Sequence, residues 1–200
     1  MKTYLPIIIF CALCLEQPTT IWLYGDSISR GYGMASFGHP SPLNSIHGIA
    51  NLLLIENGRE DLTVKWSGSQ DPNYLWGSIR DGFIEPGDII IFENAGPHYN
   101  NTEAYRMWLK LFKFTAGSHP IYLTTTPDYD PPPDSQYDTL IGVSGLSINA
   151  VVREEALLLL DWDAEMDEAV GVMESYGASP MLPDGIHPNA FGNFVLALSI

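Results

Sequence analysis

The stretch of sequence that decides the fold is "IWLYGDSISRGYG", residues 21–33. A four-residue apolar run ending at Tyr24 meets Gly25, Asp26 and Ser27 and then continues into glycine-rich sequence. A short apolar run bounded by turn residues is typical of a buried strand. The end of this strand has two interpretations: a plain turn in which the serine caps the next element, or a tip that holds Ser27 as a nucleophile. The stretch alone leaves both open.

Strands and helices alternate along the rest of the chain. Apolar patterning predicts strands over residues 21–24, 62–66, 88–93, 121–125 and 157–161, and helices over residues 43–57, 102–114, 144–156, 164–176 and 189–200. This alternation predicts a three-layer α/β/α sandwich with a mainly parallel five-stranded sheet. Functional sites of such sheets form beyond the carboxyl ends of the strands, and Ser27, Gly68 and Asn94 each follow a predicted strand closely.

Composition places the chain among globular, single-domain proteins. It has 200 residues, of which 46% are hydrophobic and 12% aromatic, and this is enough to bury a core. Lys and Arg number 9 against 24 Asp and Glu, which gives a formal net charge of -15. Because this charge repels phosphate groups, we expect neither nucleic acid nor an anionic membrane surface as a partner.

Residues 1–19 form an apolar N-terminal segment in which one Lys precedes the run Ile7–Leu15. That run is too short to span a bilayer but suits the core of a signal peptide, although no clean small-x-small cleavage site comes after it. The alternative is a strand or helix that stays in the fold. We therefore expect a secreted or periplasmic protein whose domain covers residues 20–200 and does not insert stably into a membrane. If the N-terminal segment is retained, we expect a cytoplasmic protein. Cys11 and Cys14 both lie in this segment, so its removal leaves no cysteine.

A second motif stands near the C-terminus, in "PDGIHPNAFG", residues 183–192. Asp184 and His187 lie three residues apart in a proline-bounded loop that leads into the last predicted helix. A serine hydrolase needs a base within reach of its nucleophile and an acceptor that orients the base, and an Asp-x-x-His loop can supply both. The alternative is an aspartate that caps the helix and an exposed surface histidine.

Together these motifs resemble those of the GDSL-type SGNH hydrolases, a family of esterases and lipases. The blocks "YGDSIS", Gly68, Asn94 and "DGIHP" follow the family's order, and the resemblance covers the chain from the first strand to the C-terminus. It implies a flavodoxin-like fold and a catalytic triad in which Ser27 attacks an ester carbonyl, His187 moves the proton and Asp184 orients the imidazole. It also implies an oxyanion hole formed by the N–H groups of Ser27 and Gly68 and the side chain of Asn94. No cofactor is expected.

The third of these blocks departs from the family pattern. It usually reads Gly-x-Asn-Asp, whereas here Phe92, Glu93, Asn94 and Ala95 stand in its place. Asn94 is kept as the oxyanion donor, and the alternative is a buried loop asparagine that bonds only to backbone. Glu93 offers polar support where the usual Asp is missing. In the first block Ile28 replaces Leu, a conservative change.

Four further residues are predicted to line the substrate site. Aromatic faces near a hydrolytic serine suit sugar rings or acyl chains, although core packing or a plain loop position is the alternative. The set comprises Asp26, Tyr32, Trp66 and His98.

No metal site is predicted. The acidic run "DWDAEMD", residues 161–167, lacks the Gly and Glu that a calcium loop needs, and we interpret it as a solvated helix face.

The predicted reaction is hydrolysis of a small-molecule or glycan ester through an acyl-enzyme. The family analogy and the export signal favour removal of acetyl groups from carbohydrate. A lipase-like or short-acyl esterase or thioesterase is the alternative enzyme. The alternative to an enzyme is a glycan-binding module that has the same fold but no catalytic activity. The altered third block leaves this alternative open.

Overall fold

The computed structural model describes residues 19–25, 28–30, 45–68, 71–93, 102–127, 144–179 and 187–200. These residues form five strands, β1 (Thr19–Tyr24), β2 (Leu62–Ser67), β3 (Ile89–Phe92), β4 (Ile121–Thr124) and β5 (Leu158–Leu160). They also form six helices, α1 (Ile46–Glu56), α2 (Pro72–Arg80), α3 (Thr102–Ala116), α4 (Ser144–Glu155), α5 (Trp162–Glu174) and α6 (Ala190–Leu198). None of the helices in this described part is long and apolar enough to cross a membrane.

The five strands make one parallel sheet in the order β2-β1-β3-β4-β5. The predicted α/β fold with a five-stranded parallel sheet is therefore confirmed. The order places β1, the strand that leads to Gly-Asp-Ser, between β2 and β3. Tyr24, its last residue, is in register with Ser67 on one side and Phe92 on the other. All three strands consequently end at the same level of one sheet edge.

Helices cover both faces of the sheet, which makes the central strands apolar on both sides. Ile21 and Leu23 of β1 point to the face that is packed by α1, α5 and α6. Trp22 and Tyr24 point to the opposite face, which carries α2, α3 and α4. Because side chains alternate along a strand, a nearly continuous apolar run is what a strand with two buried faces requires.

One helix and the start of one strand differ most from the sequence-based prediction. The nine-residue helix α2 was not predicted, because polar residues and Gly77 interrupt its short apolar pattern. It forms because Asp71 caps it by accepting the N–H of Asn73 at 2.8 Å and because it buries Leu75. Strand β1 begins at Thr19, so this residue of the predicted N-terminal segment belongs to the sheet. The rest of that segment lies outside the described residues.

The run "DWDAEMD" is only partly the solvated helix face that was predicted. Asp161 caps helix α5 by accepting the N–H of Ala164, and Asp163 is only 5% exposed. The guanidinium of Arg153 in α4 binds both carboxylates at 2.8 Å. The prediction was wrong for these two residues because a cation from another element, which local patterning does not show, binds them.

A cluster of charges joins α3 to α4. The Glu155 carboxylate accepts hydrogen bonds from Arg106 at 2.9 Å and from Lys113 at 3.0 Å, and Arg106 also binds Glu154 at 2.7 Å. The hydrogen bonds from Arg106 and Lys113 lower the pKa of Glu155 from an ordinary 4.5 to about 2. The Glu155 side chain is only 13% exposed, so solvent screens these interactions weakly.

This cluster predicts a pH dependence of stability. The Glu155 carboxyl binds a proton more weakly in the folded chain, so its contribution is present above pH 4.5 and is lost as the pH falls towards 2. We expect Glu155→Gln to be about 1–3 kcal/mol less stable than wild type at pH 7, with a smaller difference at pH 3. Urea unfolding at both pH values measures this. Glu154→Gln, at a side chain that is 62% exposed, is the control and should cost less than about 0.5 kcal/mol. An equal Glu155→Gln deficit at both pH values would contradict the prediction.

Candidate active site at the carboxyl edge of the sheet

Three chain segments meet where β2, β1 and β3 end. The Gly25 N–H donates to the Ser67 carbonyl at 3.1 Å, and the Glu93 N–H donates to the Tyr24 carbonyl at 2.8 Å. These bonds continue the parallel ladders one residue beyond the strands. Gly68, the residue after Ser67, is exposed at this edge. The residue positions predicted for the nucleophile and the two other oxyanion donors therefore follow three adjacent strands.

The predicted site residues divide into two groups. Six lie outside the described residues, and their roles stay predictions: Asp26, Ser27, Tyr32, Asn94, His98 and Asp184. The other three have described positions: Trp66 and Gly68 are at the end of β2, and His187 precedes α6.

His187 is partly exposed and lies two residues before the N-cap of α6. That cap, Asn189, accepts the N–H groups of Phe191 at 2.9 Å and Gly192 at 3.1 Å. Its amide also donates to the Ser179 carbonyl at 2.7 Å, which ties the start of α6 to the segment after α5. An asparagine with these contacts fixes the backbone next to His187. A fixed backbone at this position is compatible with the predicted role of His187 as a base.

The turn after β1 is held from both neighbouring strands. Ser29 is fully buried in it, and its N–H donates to Oε2 of Glu93 at 3.2 Å. The indole Nε1 of Trp66 donates to the Ser29 Oγ at 3.1 Å. Glu93 comes directly after β3 and Trp66 belongs to β2, so the two contacts link the turn to the strands on either side of β1. Ser27 lies two residues before Ser29 in the sequence.

Comparison with solved structures assigns the fold. A lipase/acylhydrolase from Enterococcus faecalis superposes with a TM-score of 0.69 at 20% identity, covering 90% of this chain and 92% of that one. A member of the lipolytic G-D-S-L family from Veillonella parvula gives a TM-score of 0.57 at 16% identity, with 90% and 95% covered. An acetyl xylan esterase from Geobacillus stearothermophilus gives 0.58 at 15% identity, with 90% and 91% covered.

The chain has the SGNH hydrolase fold. No protein-family model matches the sequence, and no curated protein matches it either. At these identities the likeness is one of fold, and the chemistry has to be argued from this chain's own residues.

Within this SGNH fold, Trp66 has partners on its ring as well as at its nitrogen. The Arg30 guanidinium lies 5.4 Å from the ring centroid, and the His47 imidazole stacks on the indole at 6.5 Å between centroids. Burial lowers the pKa of His47, which favours a neutral imidazole at this position. A Cβ on Gly68 would come within 2.7 Å of the Trp66 ring, so a glycine lets the end of β2 pass this indole. Contact between Trp66 and the substrate stays a prediction.

The sequence did not predict that Ser29 and His47 lie at this edge of the sheet. Their residue types carried no signal, because a serine in a turn and a histidine in a helix are ordinary. The one available signal was Glu93, an acid placed directly after a buried apolar strand, where burial of a carboxylate requires partners. In the described part of the chain, no three His, Cys, Asp or Glu side chains are grouped as metal ligands would be.

Proposed function

We propose that the chain is a serine esterase whose nucleophile is Ser27. The observation that carries this proposal is the register at the end of β1, where Tyr24 is paired with both Ser67 and Phe92. Through this register the strand that precedes Ser27 ends level with the strands that precede Gly68 and Asn94. Parallel α/β sheets place their reactive groups at this edge.

The proposed reaction proceeds in two steps. The Ser27 Oγ forms a bond to the carbonyl carbon of the ester while His187 accepts its proton, and Asp184 orients the imidazole. The resulting oxyanion accepts hydrogen bonds from the Ser27 and Gly68 N–H groups and the Asn94 amide. His187 then gives the proton to the leaving alcohol as the C–O bond breaks. A water molecule attacks the acyl-enzyme by the same route and releases the acid and free Ser27.

We further propose that the acyl group is acetyl and the alcohol a carbohydrate hydroxyl. One of the structures of similar fold is an acetyl xylan esterase, which supports this choice. The exposed Arg30, close to the turn after β1, offers hydrogen-bond donors of the kind that sugar hydroxyls accept. The lipase/acylhydrolase of the same fold supports the alternative, an esterase for longer acyl chains.

A substrate series tests the choice between these two esterases. We expect kcat/KM to be at least about tenfold higher for p-nitrophenyl acetate than for the octanoate, because a small acyl pocket rejects added methylene groups. Acetylated xylo-oligosaccharides should release acetate at a rate that depends on the enzyme concentration. A value of kcat/KM that rises with chain length would instead favour the lipase-like reaction. If none of these esters is hydrolysed, the esterase proposal fails and a binding module becomes the better interpretation.

A further inference from the structure

Glu93 is a buried acid at the edge where the proposed chemistry takes place. It is 1% exposed, directly after β3, and its backbone N–H extends the ladder to Tyr24. Moving a carboxylate out of water costs several kcal/mol unless hydrogen bonds compensate for its lost hydration. The Oε2 atom of Glu93 accepts a hydrogen bond from the Ser29 N–H at 3.2 Å. The side chain therefore spans from the end of β3 to the turn after β1.

Gly25 makes room for this carboxylate. A Cβ built on Gly25 would collide with Oε2 of Glu93 and with the Ser29 Oγ, and would lie 2.9 Å from the Glu93 Cβ. A glycine at the end of β1 is therefore a steric requirement of the contact between Glu93 and Ser29. Gly25 and Ser29, the residues that flank the tripeptide with Ser27 at its centre, both touch the same carboxylate.

We infer that Glu93 is a positioning residue for the nucleophile. By accepting the Ser29 N–H and packing against Gly25, it holds both ends of the short segment that carries Ser27. This inference rests on the proposed function, because it assumes that Ser27 reacts. Glu93 acts through the backbone and not on the substrate, so its loss should affect the rate of the chemical step more than the binding of the ester.

Two substitutions at Glu93 separate positioning from charge. Glu93→Ala removes the acceptor, and we expect kcat for p-nitrophenyl acetate to fall by about 10- to 100-fold with KM changed by less than about threefold. Glu93→Gln keeps an oxygen at the same reach and should retain kcat within about threefold of wild type. Rates are normalised to active sites titrated with a phosphonate ester, so that unfolded protein does not count. Equal kcat in Glu93→Ala and wild type, or equal loss in Glu93→Gln and Glu93→Ala, would overturn the inference.

Asp88, next to the other end of β3, provides the matched control. It is also a buried acid, 6% exposed, but it precedes β3 at the opposite end and accepts the Thr20 N–H and the Trp22 Nε1–H, each at 2.9 Å. We expect Asp88→Asn to lower Tm while kcat stays within about twofold of wild type. If Asp88→Asn reduces kcat as much as Glu93→Ala does, general destabilisation explains both and the positioning role is refuted.

A second route covers the case in which Glu93→Ala does not fold. Gly25→Ala crowds the carboxylate away from Ser29 and should lower kcat by about tenfold or more, again with little change in KM. Gly171→Ala is its control, because a Cβ there meets no atom within 4 Å. A Gly25→Ala variant with the kcat of wild type would overturn the inference. A wild-type chain without activity, or Ser27→Ala with wild-type activity, would instead overturn the proposed function and this inference with it.

Discussion

Ser27→Ala should lower kcat for p-nitrophenyl acetate by about 10³-fold or more, because in the proposed mechanism the substitution removes the atom that forms the acyl-enzyme. The double variant Ser27→Ala/His187→Ala should fall no further, since a base without its nucleophile has no proton to move. Steady-state kinetics measure the rates. Mass spectrometry after treatment with a fluorophosphonate should place the adduct on the peptide that contains Ser27.

The control for this experiment is Ser118→Ala, at an exposed serine in the turn after α3. It should leave both kcat and the labelled peptide unchanged. If Ser27→Ala and wild type release nitrophenol at the same rate, the hydrolase mechanism is refuted. A further loss in the double variant would mean that His187 acts in a reaction that does not pass through Ser27.

Phe112→Ala should reduce the free energy of unfolding by about 3–5 kcal/mol, the largest loss of stability that we expect from a single substitution here. Phe112 is fully buried on the inner face of α3, and its ring lies 4.2 Å from that of Phe92 and 5.9 Å from that of Tyr24, measured between centroids. Truncation therefore leaves a cavity directly beneath the ends of β1 and β3. Urea unfolding monitored by circular dichroism measures the loss.

Phe114→Ala is the matched control on the same helix. Two residues along an α-helix turn the side chain to the opposite side, and Phe114 is 83% exposed. The substitution should change the free energy of unfolding by less than about 0.5 kcal/mol. Equal losses in the two variants would show that α3 is not packed on the sheet through Phe112, and would contradict this arrangement of helix and sheet.

Local patterning predicted the strands well but missed helix α2. The apolar run around Ile90 was expected to be a strand with two buried faces, and this residue is fully buried in β3. Helix α2 was not predicted because polar residues and a glycine interrupt its short apolar pattern, whereas the equally short α6 is apolar along most of its length. Helix α2 is stabilised by its Asp71 cap and by packing of Leu75, and the second of these depends on elements far away in the sequence.

The sequence by itself determined the alternation of strands and helices, the parallel sheet and the serine, aspartate and histidine that its motifs single out. Only the tertiary structure decided that β1 lies between β2 and β3 and that Glu93 accepts the N–H of Ser29, a residue 64 positions away. The physical reason is that periodicity reports which side of an element is apolar, whereas strand order and the partners of a buried carboxylate arise from contacts between distant segments.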